Sequence, residues 1–87
     1  MKELIEYSTT IVNDGISDGR YVNKSLKDVI AQIKYFTKCS DCVSELEASE
    51  ITVYIDGTDL LVAYKDADRS LEDFMAELSN ESEILGA

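Results

Sequence analysis

Histidine is absent from the chain, and so is proline. Without an imidazole there is no general base of the commonest kind, no Ser-His-Asp triad and no zinc site of the mixed Cys/His type. Glycine is scarce: the four stand at 15, 19, 57 and 86, too far apart to form a phosphate-cradling loop. No apolar run approaches the ~20 residues that cross a bilayer. The opening MKELIEYSTT lacks the apolar stretch of a signal peptide. These gaps lead to the expectation of a cytoplasmic protein without cofactor, membrane contact or catalytic role, whose two cysteines stay reduced. An enzyme made from this set of side chains would depend on carboxylates, Ser, Tyr, Lys or the cysteines.

Positive charge is the other shortage. Residues 1–40 hold six Lys/Arg and five Asp/Glu, a balance of +1; residues 41–87 hold two and thirteen, a balance of −11. The net charge of −10 repels phosphates and anionic lipid, so direct nucleic-acid binding is disfavoured and a basic protein partner, or plain solubility, is implied. At 45% hydrophobic the chain is too apolar for disorder. Its 87 residues make one small domain with one modest core and little room for a deep catalytic pocket.

What the sequence does contain is a phrase written twice: KSLKDVIAQI (24–33) and RSLEDFMAEL (69–78). Each opens on a Ser with an acid three residues on, Ser25 with Asp28 and Ser70 with Asp73, a variant of the capping box. Apolar residues follow at helical spacing: Leu26, Val29, Ile30, Ile33 and Phe36, then Leu71, Phe74, Met75 and Leu78. Both phrases are amphipathic helices. Ahead of each lies a β-branched stretch ending in Asp-Gly, TIVNDG (10–15) and TVYIDG (52–57), which signals a hairpin. Ile5, Tyr7, Thr9 and Ile11 alternate with polar residues as a half-buried strand does, RYVN (20–23) is its short return, and DLLVAYK (59–65) returns from the Ile51/Val53/Ile55 face. The expected fold is α+β: two strand–turn–strand–helix halves, 1–38 and 50–87, giving a four-stranded antiparallel sheet with two helices on one face. Residues 39–49 are the connector, and the second half ends in an acidic tail.

Three constellations invite chemistry. Cys39-Ser40-Asp41-Cys42 has C-x-x-C spacing. Redox pairs of that spacing sit at a helix N-terminus, whereas this one follows a helix end and has Asp41, Glu45 and Glu47 nearby to raise a thiol pKa. A zinc site needs about four ligands, so the pair would require a homodimer, or Asp41 or Glu45, to complete one. Asp66, Asp68, Ser70, Glu72 and Glu77 match calcium-loop spacing, but Leu71 occupies the position that needs glycine. Asp56 and Asp59 bring two carboxylates together in DGTD, which a turn explains by itself.

The two helix copies differ chiefly in their outer faces: Lys24, Lys27, Lys34 and Lys38 on the first, Glu72, Asp73, Glu77, Asn80 and Glu81 on the second. Like charges four apart cost only ~0.2–0.5 kcal/mol each, so stability neither forbids nor requires the acidic face. The leading expectation is a non-enzymatic binding protein whose acidic half engages a basic, nucleic-acid-handling partner, as a mimic of nucleic acid. Small acidic proteins of phages and mobile elements that block restriction or CRISPR machinery are similar in size and charge. The candidate contacts are Glu45, Glu47, Glu50, Asp56, Asp59, Asp66, Asp68, Glu72, Asp73, Glu77, Glu81 and Glu83. The alternatives are a module dependent on Cys39 and Cys42, either zinc-bridged or redox-switched, and a structural homodimer joined through sheet edges or the apolar residues of SEILGA.

Overall fold

A computed structural model describes residues 5–85. Strands β1 (Tyr7–Asn13) and β2 (Ile16–Asn23) lead into α1 (Leu26–Phe36) and α2 (Ser40–Glu47), followed by β3 (Glu50–Ile55), β4 (Leu61–Lys65) and α3 (Leu71–Leu85). The strands form one antiparallel sheet in the order β2-β1-β3-β4. The expected α+β architecture and sheet are present, with a third helix, α2, where a connector was expected.

Local chemistry accounts for the elements. Asp14 (φ 55°) and Gly15 (φ 76°) both lie in the left-handed region, the geometry a two-residue hairpin turn needs, and Asp-Gly supplies it at little cost. The β3–β4 connection is longer than its Asp-Gly suggested: Ile55 N–H donates to Leu60 O at 3.0 Å and Thr58 N–H to Ile55 O at 3.1 Å, so β4 starts at Leu61 rather than Asp59. The return strand β2 is also longer than RYVN; it begins at Ile16, passes Gly19 at φ 105°, and shifts register opposite Thr10–Val12. Ile5, expected in the first strand, precedes it and is exposed. Ser25 and Ser70 cap α1 and α3, their hydroxyls accepting from Asp28 N–H (3.2 Å) and Asp73 N–H (3.1 Å).

Register assigns the faces. Tyr21, Thr9, Val53 and Ala63 form one cross-strand row, and Ile11, Ile51 and Lys65 another. Onto these rows α1 brings Leu26, Val29 and Ile33, α3 brings Leu71, Phe74 and Leu78, and α2 adds Leu46. α1 and α3 pack side by side, α1 over β1 and β2 and α3 over β4. The opposite sheet face carries Thr10, Thr52, Tyr54 and Tyr64 and has no helix among the described residues to cover it. Tyr54, out of phase with Ile51, Val53 and Ile55, lies on that open face and is half-buried there. α3 runs on to Leu85, so Glu81 is helical, as expected, and Glu83 is helical too and not part of a tail. No helix among the described residues is long and apolar enough to cross a membrane.

Candidate functional site

The twelve candidate carboxylates divide into two groups. Six have work inside the fold. Glu47, at the end of α2, accepts the Leu71 N–H on both oxygens (3.0 and 3.2 Å), placing negative charge at the N-terminus of α3 where the helix dipole favours it. Glu50 accepts the Tyr64 hydroxyl at 3.4 Å. Asp56 accepts from buried Ser8 and pairs with Arg20 at 3.3 Å, tying the β3–β4 turn across the open face to β2. Asp66 Oδ1 accepts the N–H groups of Asp68 and Arg69, fixing the turn into α3. Asp73 and Glu77 both bind Arg69, at 3.3 and 2.7 Å.

The second group is Glu45, Asp59, Asp68, Glu72, Glu81 and Glu83. All are exposed except Glu81, which is half-buried. Glu45 stands on α2, Asp59 in the β3–β4 loop, Asp68 just ahead of α3, and the other three on α3. The structure therefore does not gather the twelve candidates onto one patch. Five of the acids stand on α3, whose fifteen residues include Glu72, Asp73, Glu77, Glu81 and Glu83 and no Lys or Arg, with Arg69 just ahead of it pairing with Asp73 and Glu77. Across the junction with α1, Lys34 shares a shallow depression with Glu72 and Glu47. Lys24, Lys27, Lys34 and Lys38 are exposed on or beside α1, so the helical layer presents a basic and an acidic side.

Sequence reading overlooked Lys65, which decides the local electrostatics. It is fully buried, on the core face of β4 opposite Ile51. Its Nζ donates to three carbonyls: Glu47 O (2.6 Å), Ser49 O (2.9 Å) and Asp66 O (2.9 Å). Three N–H donors meet three acceptors, one of them the open Glu47 carbonyl at the end of α2 and another the Ser49 carbonyl just beyond it. Burial holds its pKa below the ordinary lysine value, opposed by the pull of Glu47 and Asp66. The available signal was phase: in LVAYK, Lys65 alternates inward with Ala63. Arg69, the other cation of this half, is engaged by Asp73, Glu77 and the Tyr64 carbonyl (2.8 Å).

The cysteines correct the sequence reading twice. Cys39 does follow α1, but it is the N-cap of the next helix, its Sγ accepting the Cys42 N–H at 3.2 Å. The pair is thus at a helix N-terminus after all, and the two sulfurs are joined as a disulfide, where the cell compartment expected from the sequence usually keeps thiols reduced. Asp41 and Glu45 do not assemble with them into a metal site: among the described residues no three His, Cys, Asp or Glu side chains are grouped to hold an ion. The calcium-loop spacing fails on the same ground, since Asp66 binds backbone amides, Ser70 caps α3 and Glu77 binds Arg69. In DGTD, Asp56 is engaged by Ser8 and Arg20 while Asp59 is exposed in the loop. Compared with known protein families, curated proteins and solved structures, the chain matches none.

Proposed function

We propose that the protein is a small acidic binding protein that acts by occupying a basic, nucleic-acid-handling partner, and not by catalysis. The observation that carries this reading is that Lys65 and Arg69, the only two cations of residues 41–87, are both engaged by the protein's own groups, Lys65 in the core and Arg69 by Asp73 and Glu77 at the surface of α3. With Lys65 buried and Arg69 taken up by Asp73 and Glu77, Glu72 and Glu83 keep no cation of their own half, and Lys34 of α1 is the lysine that shares a depression with Glu72. A cleft shaped for phosphates offers the arginines and lysines that such a surface lacks. Inhibition of the restriction, anti-phage or other DNA-binding machinery met by mobile elements is the role that fits a charge mimic of this size.

Six of the twelve residues first considered as contacts hold the fold itself, which narrows the interface to Glu72 and Glu83 on α3, with Asp68 ahead of that helix and Asp59 in the β3–β4 loop. Glu45 and Glu81 are peripheral to it, on α2 and on the flank of α3.

Affinity capture from host extract with the tagged protein tests the reading. The expected result is one basic nucleic-acid-binding protein, retained at low salt, released at high salt and displaced by added duplex DNA or RNA. Recovery that is indifferent to salt and to nucleic acid would count against it.

A further inference from the structure

The C-x-x-C segment takes no part in the acidic surface, and its surroundings form a site of their own. Cys39 is exposed and Cys42 half-buried. Both line an open groove of about 360 Å³ whose other walls are Ile11, Tyr21, Tyr35, Phe36 and Leu46, with Lys38 and Glu45 its charged residues. The aromatic wall is ordered by its own contacts: Phe36 packs against Tyr21 and Tyr35 at ring centroid distances of 5.4 and 6.3 Å, and the Lys38 ammonium lies 4.6 Å from the Tyr35 ring centre.

Three kinds of chemistry meet there. The accessible sulfur of a disulfide is open to attack by a thiolate. A thiolate released at Cys39 is met by the Cys42 N–H at the start of α2, where helix termini favour negative charge. An apolar wall lining the same groove as Cys39 and Cys42 holds whatever side chain lies next to the attacking cysteine.

We propose that Cys39–Cys42 is a thiol–disulfide exchange site for a polypeptide dithiol whose cysteine is flanked by an aromatic or large apolar residue. A partner cysteine, its proton lost to solvent, attacks Cys39 Sγ. The new S–S bond joins partner and Cys39, the Cys39–Cys42 bond breaks, and Cys42 Sγ takes the electron pair and then a proton. The partner's second thiolate then attacks its own sulfur in the mixed disulfide, closing a disulfide within the partner and expelling Cys39 as a thiolate, which is protonated in turn. The partner loses two electrons and two protons; the Cys39–Cys42 disulfide gains both.

The test uses the full oxidised chain and two synthetic C-x-x-C dithiol peptides, one with phenylalanine beside the first cysteine and one with serine, with glutathione as a thiol that lacks a flanking aromatic. Rates are read by mass spectrometry after alkylation. The phenylalanine peptide is expected to exchange about three- to tenfold faster than the serine peptide, the scale of one aromatic contact. Tyr35→Ser removes an exposed part of the wall; it should erase that preference and leave the glutathione rate unchanged. Offered the oxidised peptide, Cys42→Ser should hold a mixed disulfide through Cys39, and Cys39→Ser should not. Equal rates for the two peptides, a Tyr35→Ser effect shared by glutathione, or trapping in Cys39→Ser instead would overturn the proposal. Changing both cysteines to serine leaves the salt-sensitive binding of the acidic face in place, so the two activities succeed or fail separately.

Discussion

At the scale of the residue, Lys65 shows how a single charge is made tolerable in a core of this size. Its ammonium replaces water with three carbonyls and in doing so satisfies the end of α2, where backbone acceptors have no helical partner. Lys65→Met keeps the length of the side chain and removes the donors, leaving buried acceptors unmatched; a loss of about 2–3 kcal/mol is expected, read from urea midpoints at constant slope. The pH dependence has a definite sign. Below the lowered folded pKa, Lys65 is protonated in both states; between that value and the unfolded 10.5, the unfolded chain holds the proton that the folded chain has released. Stability from this group therefore rises with pH across that window. Tyr64, whose phenol is raised above 10.0 by partial burial and by Glu50, works in the opposite direction there, but it is common to both proteins. The gap between the native chain and Lys65→Met should widen as pH approaches 10.5. A gap that stays flat would mean that Lys65 does not titrate below its ordinary value.

At the scale of the element, the two caps of the repeated phrase differ in depth. α1 rests on Ser25 alone among the described contacts, whereas α3 has Ser70 at Asp73 and the Glu47 carboxylate at Leu71. Ser25→Ala should cost about 1 kcal/mol. Glu47→Gln, which keeps an acceptor and removes the charge from the dipole, should cost about 0.3–1 kcal/mol. Urea unfolding of the two variants measures both, and a neutral Glu47→Gln would show that α3 draws nothing from the charge of Glu47. The helices of the repeated phrase, their caps and the Asp14–Gly15 turn were legible because each is written locally: a periodicity of 3.6, a hydroxyl at the start, a dipeptide that accepts positive φ. The helix α2 was not legible. Its eight residues bury only Leu46 fully, Ser and Asp occupy its first turn, and a cysteine stands where Ser, Thr, Asn or Asp would announce a cap. Its place is set by tertiary partners, Lys65 at its end and Asn13, which donates to Glu45 O (3.1 Å) and Ser49 Oγ (2.9 Å). None of these is near it in sequence, so the pair Cys39–Cys42 looked like the end of one helix when it is the beginning of another. The length of α3 was underestimated for a related reason, because SNESE carries too few apolar residues to extend the stripe, although Ser82 is buried in the fold.

At the scale of the whole molecule, the charge asymmetry legible in the sequence becomes a spatial one. The lysines of the first half stand along α1, the carboxylates of the second along α3, and the two helices lie side by side on one face of the sheet. What the sequence could not separate was which acids hold the fold and which face outward, since Glu47, Glu50 and Asp56 resemble Glu72 and Glu83 in every local respect. Their partners lie across the fold and only tertiary structure reveals them, whereas Asp66, Asp73 and Glu77 are engaged nearby in the chain, by the N–H groups of residues 68 and 69 and by Arg69. A surface built this way uses long-range attraction, so its association rate and affinity fall together as salt screens it, with a Debye length of about 8 Å at physiological ionic strength. The most direct measurement of the central claim is the affinity of the captured basic partner for two charge-reversed forms at low salt. Glu72→Lys with Glu83→Lys alters the acidic side, and Lys24→Glu with Lys27→Glu alters the basic side by the same amount of charge. The account predicts that the first weakens binding by at least tenfold, about 0.7 kcal/mol or more from each residue, while the second leaves it unchanged or tighter. Equal weakening by both, or an intact affinity in the α3 variant, would contradict it.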